Sequence, residues 1–194
     1  MPTQTLVPVE DLVQQLRRCT EQDFINIETI RNILRENPVD PASIQRYLVW
    51  DRQHYTRNLI EKTPLFELMA ICWEVGQESS IHNHQDQNCW MAAPIGRLQV
   101  QNYRVLSEDQ AGGTCDLEPT DDVEINRQNP VAVDPAEPVH KVTNLSQYGE
   151  RAVSLHVYSR PFDHCMVYSD TQHKCGEIKL HYTSQYGQPT PAQS

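Results

Sequence analysis

The sequence lacks any long hydrophobic run, since its apolar stretches span only a few residues within the 194-residue chain. A membrane-spanning helix needs about 20 apolar residues in succession, so no membrane span is expected. Residues 1–4 include neither a basic segment nor the start of an apolar one, so no signal peptide is predicted. Together these absences predict a cytoplasmic protein with no membrane partner.

Basic residues are also scarce, and closely spaced cysteine pairs are absent. Lysine and arginine total 16 against 26 aspartates and glutamates, which gives a formal net charge of -10. Nucleic acids and anionic membranes are bound by basic surfaces, so neither is an expected partner. The six cysteines never occur in Cys-x-x-Cys spacing, which excludes a zinc ribbon and predicts free thiols in a reducing compartment.

The first fifty residues carry the apolar spacing that is typical of helices. Apolar side chains recur at intervals of three and four residues in the segments 9–16 and 27–34, which predicts two amphipathic helices. The dipeptide Asp40-Pro41 combines an N-cap residue with the proline that favours a first helical turn. A further short helix is therefore predicted after Asp40.

Strand patterns begin at about residue 53. The segments that favour strands are residues 65–75, 97–105, 151–158 and 177–183. The acidic, proline-containing stretch from Gly112 to Pro138 is interpreted as loops, and residues 188–194 as a frayed tail. The sequence therefore predicts a mainly β fold in a single domain, 1–194. A helical region of about residues 1–50 would pack outside a small β-barrel of about residues 53–187.

A histidine pair lies within a longer spaced motif. His82 and His84 would point to the same face of a strand, where one metal ion could reach both, although they could also be surface or hydrogen-bonded histidines. The surrounding spacing is Gly76-x5-His82-x-His84-x4-Cys89-x6-Gly96. This spacing resembles the first motif of the cupin superfamily, with Cys89 where most cupins have a glutamate ligand.

A second segment resembles the other cupin motif. Pro135, His140 and Asn144 keep its spacing, and Glu137 replaces its glycine. The resemblance implies a cupin double-stranded β-helix, in which His140 joins the histidine pair around a metal ion. Three neutral imidazoles would leave coordination positions open and favour an anionic ligand such as a thiolate. Imidazoles also suit zinc, copper and nickel, so a zinc or nickel cupin of the isomerase type remains an alternative.

Further segments narrow the resemblance to one family. Residues 55–59, 79–84, 154–159 and 161–163 together resemble the cysteine dioxygenases, and the similarity runs from about residue 50 to residue 187. The resemblance implies a monomeric, non-haem iron(II)-dependent dioxygenase. Such an enzyme oxidises the thiol of L-cysteine with O2 to cysteine sulfinic acid. The cofactor is then Fe(2+), and the partners are the small molecules L-cysteine and O2.

The resemblance also assigns roles to metal and substrate residues. His82, His84 and His140 would bind iron, and Arg57, helped by Tyr55, would hold the substrate carboxylate. A guanidinium matches a carboxylate through two parallel hydrogen bonds and stays charged, although most arginines are simply exposed. Relatives that oxidise 3-mercaptopropionate carry glutamine at the position of Arg57, so this arginine predicts cysteine as the substrate.

A cysteine and a tyrosine form the next candidate pair. Cys89 and Tyr158 stand where part of the family has a thioether crosslink beside the iron, and the crosslink is expected here. By themselves they could be a buried thiol and a barrel-lining aromatic. Ser154 and His156 share a strand face with Tyr158, and by resemblance the three form a hydrogen-bonded relay. Such alternation can also mark a solvent-exposed face.

The chain departs from the family at one dipeptide and leaves some residues unassigned. Ser159-Arg160 replaces a Ser-Pro that often has a cis bond, which costs ~2.5–4 kcal/mol before other residues and is not expected here. Cys165 is interpreted as a packing residue. The histidines expected to be structural or exposed are His54, His164, His173 and His181. Two alternatives stay open: a dioxygenase for another small thiol such as 3-mercaptopropionate, and a non-catalytic metal-binding cupin.

Overall fold

The computed structural model describes residues 5–191, and its N-terminal part is helical as predicted. The helices are α1 (Val9–Arg18), α2 (Glu21–Ile25), α3 (Ile27–Glu36) and α4 (Pro41–Ile44), followed by a 3-10 turn at Gln45–Tyr47. Within residues 5–191 no helix has the length and apolar character that crossing a membrane requires. Residues 1–4, from which the absence of a signal peptide was predicted, lie outside the described residues.

Side-chain caps explain where two of the short helices begin. The Asp40 carboxylate accepts a hydrogen bond from the Ala42 amide, and Pro41 occupies the first turn of α4, as predicted. Helix α2 was not predicted from the sequence. It begins at Thr20, whose amide and hydroxyl both donate to the Asp23 carboxylate. Its five residues are too few to show a helical repeat of apolar side chains.

Strands make up most of the remaining chain, which confirms the mainly β prediction. In chain order they are β1 (Thr56–Lys62), β2 (Glu67–Trp73), β3 (Ile81–His82), β4 (Cys89–Ile95), β5 (Leu98–Asp109), β6 (Thr114–Ile125), β7 (Val131–Ala132), β8 (Val139–Thr143), β9 (Ala152–Tyr158), β10 (His164–Ser169), β11 (Lys174–Lys179), β12 (Ser184–Gln185) and β13 (Gln188–Pro189). A second 3-10 turn covers Ser146–Tyr148.

The strands form two sheets. The first, here called the covered sheet, has the order β13-β12-β1-β2-β9-β4-β7. Its neighbours are antiparallel except for the parallel pair β1 and β12. The second, here called the closed sheet, has the order β10-β11-β6-β5-β8-β3, and β3 pairs back with β10.

Each face of the covered sheet is buried against a different layer. Its outer face packs on the helices, where Leu12 and Ile30 share a core with Leu68 and Leu155. Its inner face packs toward the closed sheet, as Met69 does in a second core. All the residues of β2 and of β9 are therefore buried. The alternation of segment 151–158 thus reflects two different buried environments, and neither face is exposed to solvent.

The first half of the acidic stretch is a strand and not a loop, which corrects the sequence-based interpretation for residues 114–125. Residues 114–125 form β6, which pairs with β5 from Leu98 opposite Ile125 to Asp109 opposite Thr114. Most β6 side chains are exposed, so backbone pairing holds the strand and no apolar pattern reveals it. Pro119 lies where the pairing register shifts, a position that tolerates a missing amide donor.

The last predicted strand was also misplaced. Strand β11 covers Lys174–Lys179 and not residues 177–183, because the turn after β10 sets its register against that strand. The predicted frayed tail begins instead with β13, where Gln188 and Pro189 pair with β12. Residues 192–194 of that tail lie outside the described residues.

Candidate active site

The two sheets face each other across a cavity. The covered sheet contributes Arg57, Trp73, His156 and Tyr158 to its lining, and the closed sheet contributes His82. No aspartate or glutamate among the described residues lines this cavity. The wall therefore carries a positive guanidinium without a neutralising carboxylate.

Three histidines meet at this cavity, as the two sequence motifs predict. His82 of β3 and His140 of β8 are direct partners across neighbouring strands, and His84 follows β3 by two residues. One ligand nitrogen from each lies within 4.8 Å of the other two. Their ring centroids are 4.8 to 5.2 Å apart. The cluster can therefore offer three imidazoles to one metal ion.

The protonation of these histidines fits a metal ion. Both ring nitrogens of His84 and of His140 are buried without a hydrogen-bond partner in the part of the chain that the structure describes. Burial, followed by neighbouring histidine charge, lowers the pKa of both rings well below the usual range, which keeps them neutral. His82 Nδ1 lies 2.9 Å from the Ser80 carbonyl oxygen. Because a carbonyl only accepts, Nδ1 carries the proton and Nε2 keeps its lone pair for a metal.

Other motif residues shape the backbone around the histidines. Gly76 and Gly96 have φ angles of 85° and 65°, and a Cβ on Gly96 would lie 2.7 Å from the Arg151 carbonyl oxygen. Both positions therefore require glycine. Glu137, which replaces a motif glycine, does not have a positive φ, so its turn needs no glycine. The buried Asn144 amide donates to three backbone carbonyl oxygens, which gives it a structural role.

Arg57 is half-buried, and its guanidinium forms no hydrogen bond or ion pair among the described residues. The ring of Tyr55, which lines the same cavity, stacks on Trp73 with centroids 4.7 Å apart. Cys165 is buried and also lines the cavity, and burial raises the pKa of its thiol to about 11. A guanidinium with free donors beside a metal-capable cluster is suited to a ligand that carries a carboxylate.

A chain of hydrogen bonds runs along the inner face of β9. Trp73 Nε1 donates to Ser154 Oγ at 2.9 Å, and Ser154 Oγ lies 2.8 Å from His156 Nε2. His156 Nδ1 is 3.2 Å from the Tyr158 hydroxyl. Burial lowers the pKa of His156 to about 3, so this ring is neutral. The relay predicted from the resemblance is therefore present in geometry, and it begins at Trp73.

Cys89 and Tyr158 are direct partners across strands β4 and β9. Both are buried, and burial raises the pKa of the Cys89 thiol and of the Tyr158 hydroxyl. The Tyr158 ring centroid lies 5.5 Å from the His84 ring and 5.0 Å from the Phe162 ring. The tyrosine is thus placed between the histidine cluster and the relay.

The remaining histidines lie away from the cavity, as expected. His164 and His173 lie 2.7 and 2.8 Å from the carboxylates of Asp163 and Asp116. His54 and His181 are exposed. The Ser159–Arg160 peptide bond is trans, because no described bond is cis.

Three residues beside the site were not identified from the sequence. Glu67 is fully buried in β2, and its carboxylate accepts a hydrogen bond of 2.6 Å from the Tyr182 hydroxyl. Trp73 adds a donor to the relay. Of the three, only Glu67 had a signal in the sequence. It interrupts the apolar run 65–75, and a buried charge needs a partner.

Comparison with known proteins gives relatives across nearly the whole chain. Residues 3–171 match the family model described as cysteine dioxygenase type I. The chain is 29% identical to cysteine dioxygenase type 1 of Danio rerio over 184 residues, 94% of this chain and 90% of that protein. It is 31% identical to cysteine dioxygenase type 1 of Homo sapiens over 194 residues, 97% of this chain and 94% of that protein. A solved structure from Klebsiella pneumoniae, described as an uncharacterized conserved protein with a double-stranded beta-helix domain, has a TM-score of 0.45 and 14% identity, over 71% of this chain and 88% of that one.

Proposed function

This chain belongs to the cysteine dioxygenase family, and we propose that it oxidises the thiol of L-cysteine with dioxygen to cysteine sulfinic acid, using iron. Its fold is the cupin double-stranded β-helix of that family. One observation carries the proposal: Arg57 lines the same cavity as His82 and His84, which cluster with His140 around a metal-capable point, and the described wall of this cavity has no carboxylate. A small thiol that also bears a carboxylate can engage both groups at once.

We propose that His82, His84 and His140 hold ferrous iron. When bound, iron(II) supplies the redox chemistry through which dioxygen reacts with the substrate sulfur. The orphaned nitrogens of His84 and His140 support a metal ion at this place. Three neutral imidazoles leave the charge of a divalent ion uncompensated, which favours a thiolate ligand. The choice of iron over zinc, copper or nickel rests on the family, since imidazole suits all of them.

The proposed role of Arg57 is to bind the substrate carboxylate, with Tyr55 beside it. The guanidinium offers its donors to the cavity, because no described carboxylate pairs with it. Fixing the carboxylate at Arg57 orients the thiol toward the histidine cluster, and such orientation lowers an activation barrier by removing rotational and translational freedom. The same contact selects thiols that carry a carboxylate over those that do not.

The hydrogen-bonded relay determines where the hydrogen of the Tyr158 hydroxyl can point. The Trp73 indole only donates, so Ser154 Oγ accepts from it and can give its own proton to His156 Nε2. The neutral His156 ring then carries its proton on Nδ1 and donates it to the Tyr158 oxygen. This arrangement satisfies each donor in the chain and leaves the Tyr158 hydroxyl hydrogen free for the cavity. We propose that Tyr158 donates it to the substrate or to oxygen.

We also propose a thioether crosslink between Cys89 and Tyr158, supported by their pairing across adjacent strands. Joining the sulfur to the ring removes one hydrogen from each, and dioxygen would accept the two electrons. Partly crosslinked protein should run as a doublet on a denaturing gel. The doublet should collapse in Cys89→Ala and persist in Cys72→Ala, which removes a buried thiol from the helix-facing core. An unchanged doublet in Cys89→Ala rules out the crosslink.

Oxygen uptake with product identification tests the proposed reaction. Purified protein is loaded with iron(II) without oxygen, and dioxygen consumption is followed with L-cysteine and, separately, with 3-mercaptopropionate. Zinc-loaded protein is the matched control, because zinc has no redox chemistry. We expect rapid uptake with L-cysteine, little with the other thiol, and cysteine sulfinic acid by mass spectrometry. Preference for 3-mercaptopropionate would overturn the substrate, and no uptake with bound iron would favour a non-catalytic cupin.

We also propose that the chain forms a single domain, that it is monomeric, and that it is cytoplasmic. The helices and the covered sheet share one hydrophobic core, which supports treating the chain as one domain. None of the six cysteines forms a disulfide in the described residues, which supports a reducing compartment. Monomeric state is drawn from the family, and size-exclusion chromatography with light scattering tests it.

A further inference from the structure

A buried carboxylate lies in the covered sheet, outside the lining of the cavity. Glu67 is fully buried on the inner face of β2, directly opposite Tyr158 of β9. Its Oε2 accepts a hydrogen bond of 2.6 Å from the Tyr182 hydroxyl, and the Lys62 ammonium lies 3.6 Å away. Lys62 also donates to the Tyr182 oxygen at 2.9 Å. These contacts fix the end of the Tyr182 side chain in one place.

The fixed Tyr182 ring in turn contacts Arg57. The guanidinium carbon of Arg57 lies 5.9 Å from the ring centroid of Tyr182, within the range of a cation–π contact. The backbones are also joined, because the Thr183 amide donates to the Arg57 carbonyl oxygen at 2.7 Å. Thr183 Oγ1 accepts from the Arg57 amide at 3.1 Å. Segment 182–183 therefore holds both the backbone and the side chain of Arg57.

A buried carboxylate is unfavourable unless its contacts compensate for its lost hydration. Among residues 5–191, the Glu67 carboxylate is contacted by the Tyr182 hydroxyl and the Lys62 ammonium, and its second oxygen has no hydrogen-bond partner there. The contacts of this carboxylate therefore serve to hold Tyr182. An arginine is long and flexible, and holding it in its bound orientation reduces the entropy lost when a ligand binds. A ring against the guanidinium leaves its N–H groups free for a carboxylate.

We propose that Tyr182, held by Glu67, is a positioning residue that sets the orientation of Arg57 for the substrate carboxylate. The inference rests on the proposed role of Arg57 in carboxylate binding. Glu67 and Tyr182 act through Arg57, since neither lines the cavity. Loss of the Tyr182 ring should therefore weaken recognition of the carboxylate and leave the chemistry at the sulfur unchanged.

The experiment compares L-cysteine with cysteamine, the same thiol without a carboxylate, on iron-loaded wild type and Tyr182→Leu. Anaerobic titration gives dissociation constants, and oxygen uptake gives kcat and KM. We expect the dissociation constant and KM for L-cysteine to rise about 3- to 10-fold, which corresponds to the free energy of one cation–π contact. The values for cysteamine and kcat should stay unchanged. Tyr148→Leu, which removes the contact of Tyr148 with Arg97 at 4.3 Å, is the matched control and should change neither thiol.

A double variant separates an effect through Arg57 from general loosening. In Arg57→Ala, adding Tyr182→Leu should produce no further loss. A further loss there, or equal weakening for both thiols in Tyr182→Leu, would overturn the proposal. If Arg57→Ala alone weakens both thiols equally, the proposed role of Arg57 fails, and this inference fails with it. Should Tyr182→Leu not fold, Tyr182→Phe keeps the ring, removes the bond to Glu67 and should raise KM for L-cysteine about twofold.

Discussion

The covered sheet and the closed sheet bring different chemistry to the same cavity. Strand β9 of the covered sheet is buried on both faces and carries the relay that ends at Tyr158. Strand β6 of the closed sheet exposes most of its side chains and carries no candidate site residue. The closed sheet supplies histidines from the short strands β3 and β8, and His84 follows β3 by two residues.

The difference follows from what each task requires. A metal ion can organise histidines whose free nitrogens lie near one point, so strands of two and five residues are long enough to carry them. A hydrogen-bonded relay has no ion to organise it, and its geometry depends on rigid packing around each member. The helices pack on the outer face of the covered sheet and so hold in place the strand whose inner face carries the relay.

Removing a histidine of the closed sheet should have the largest effect on activity. We expect His140→Ala to lower product formation at least about a thousandfold, because a metal contributes several kcal/mol to such reactions. The fold should persist, since the relay and the helix-facing core are untouched. Mass-spectrometric product assays with His173→Ala as control, which alters an exposed histidine, test this. Near-normal activity in His140→Ala would contradict the metal assignment.

Matched leucine truncations test how unequally the two sheets are packed. Leu155 of β9 is 1% exposed and Leu106 of β5 is 60% exposed. We expect Leu155→Ala to lower the free energy of unfolding by about 2–5 kcal/mol through a lost contact and a cavity. Leu106→Ala should stay within about 0.5 kcal/mol of wild type. Urea unfolding measures both, and similar losses would mean that the sheets do not differ in packing.

The substrate side of the covered sheet is tested at Arg57. We expect Arg57→Ala to raise KM for L-cysteine about 10- to 100-fold, which corresponds to the free energy of a hydrogen bond between charged groups. The KM for cysteamine should stay nearly unchanged. Arg97→Ala removes an exposed arginine paired with Glu124 and serves as the control. Steady-state oxygen uptake measures both thiols. An equal loss for the two thiols would remove the assigned role of Arg57.

The smallest expected effect comes from comparing two tryptophans of the covered sheet. Trp73 donates to Ser154 in the relay, whereas Trp90 donates to the Ile27 carbonyl oxygen on the helix side. Each Trp→Phe variant should lose about 0.5–1.5 kcal/mol of stability with its hydrogen bond.

Only Trp73→Phe should also lower kcat, by about tenfold, because a neighbouring hydrogen bond orients a reacting group. Thermal unfolding and oxygen uptake, measured on both variants, distinguish the two effects. An equal fall in kcat for Trp90→Phe would show that the relay responds to general packing and not to its own donor.

Local patterns predicted two of the longer helices, and the motif spacing singled out three histidines that the structure brings together. The apolar spacing of 9–16 and 27–34 follows from burial on one helix face, so α1 and α3 lie where it indicated. The cupin-like spacing was informative because it includes glycines as well as histidines. The glycines allow the backbone turns that bring the histidines together. Gly76 and Gly96 have positive φ angles, and His82 pairs directly with His140.

Contacts without a local pattern could not be predicted. Strand β6 is held by backbone pairing while its polar side chains face outward, so its composition resembled a loop. The bond from Tyr182 to Glu67 joins residues 115 positions apart, and neither residue has a motif around it. Such a contact depends on how β2 and the chain before β12 pack together, which single-sequence spacing does not encode.

We expect the two sheets to hold opposite ends of one substrate molecule. An anaerobic crystal structure of the iron-loaded protein with L-cysteine tests it most directly. We expect one ion bound by His82, His84 and His140, the substrate sulfur facing that ion, and the substrate carboxylate on the Arg57 guanidinium. An ion bound elsewhere, or a cysteine whose carboxylate does not contact Arg57, would contradict the account.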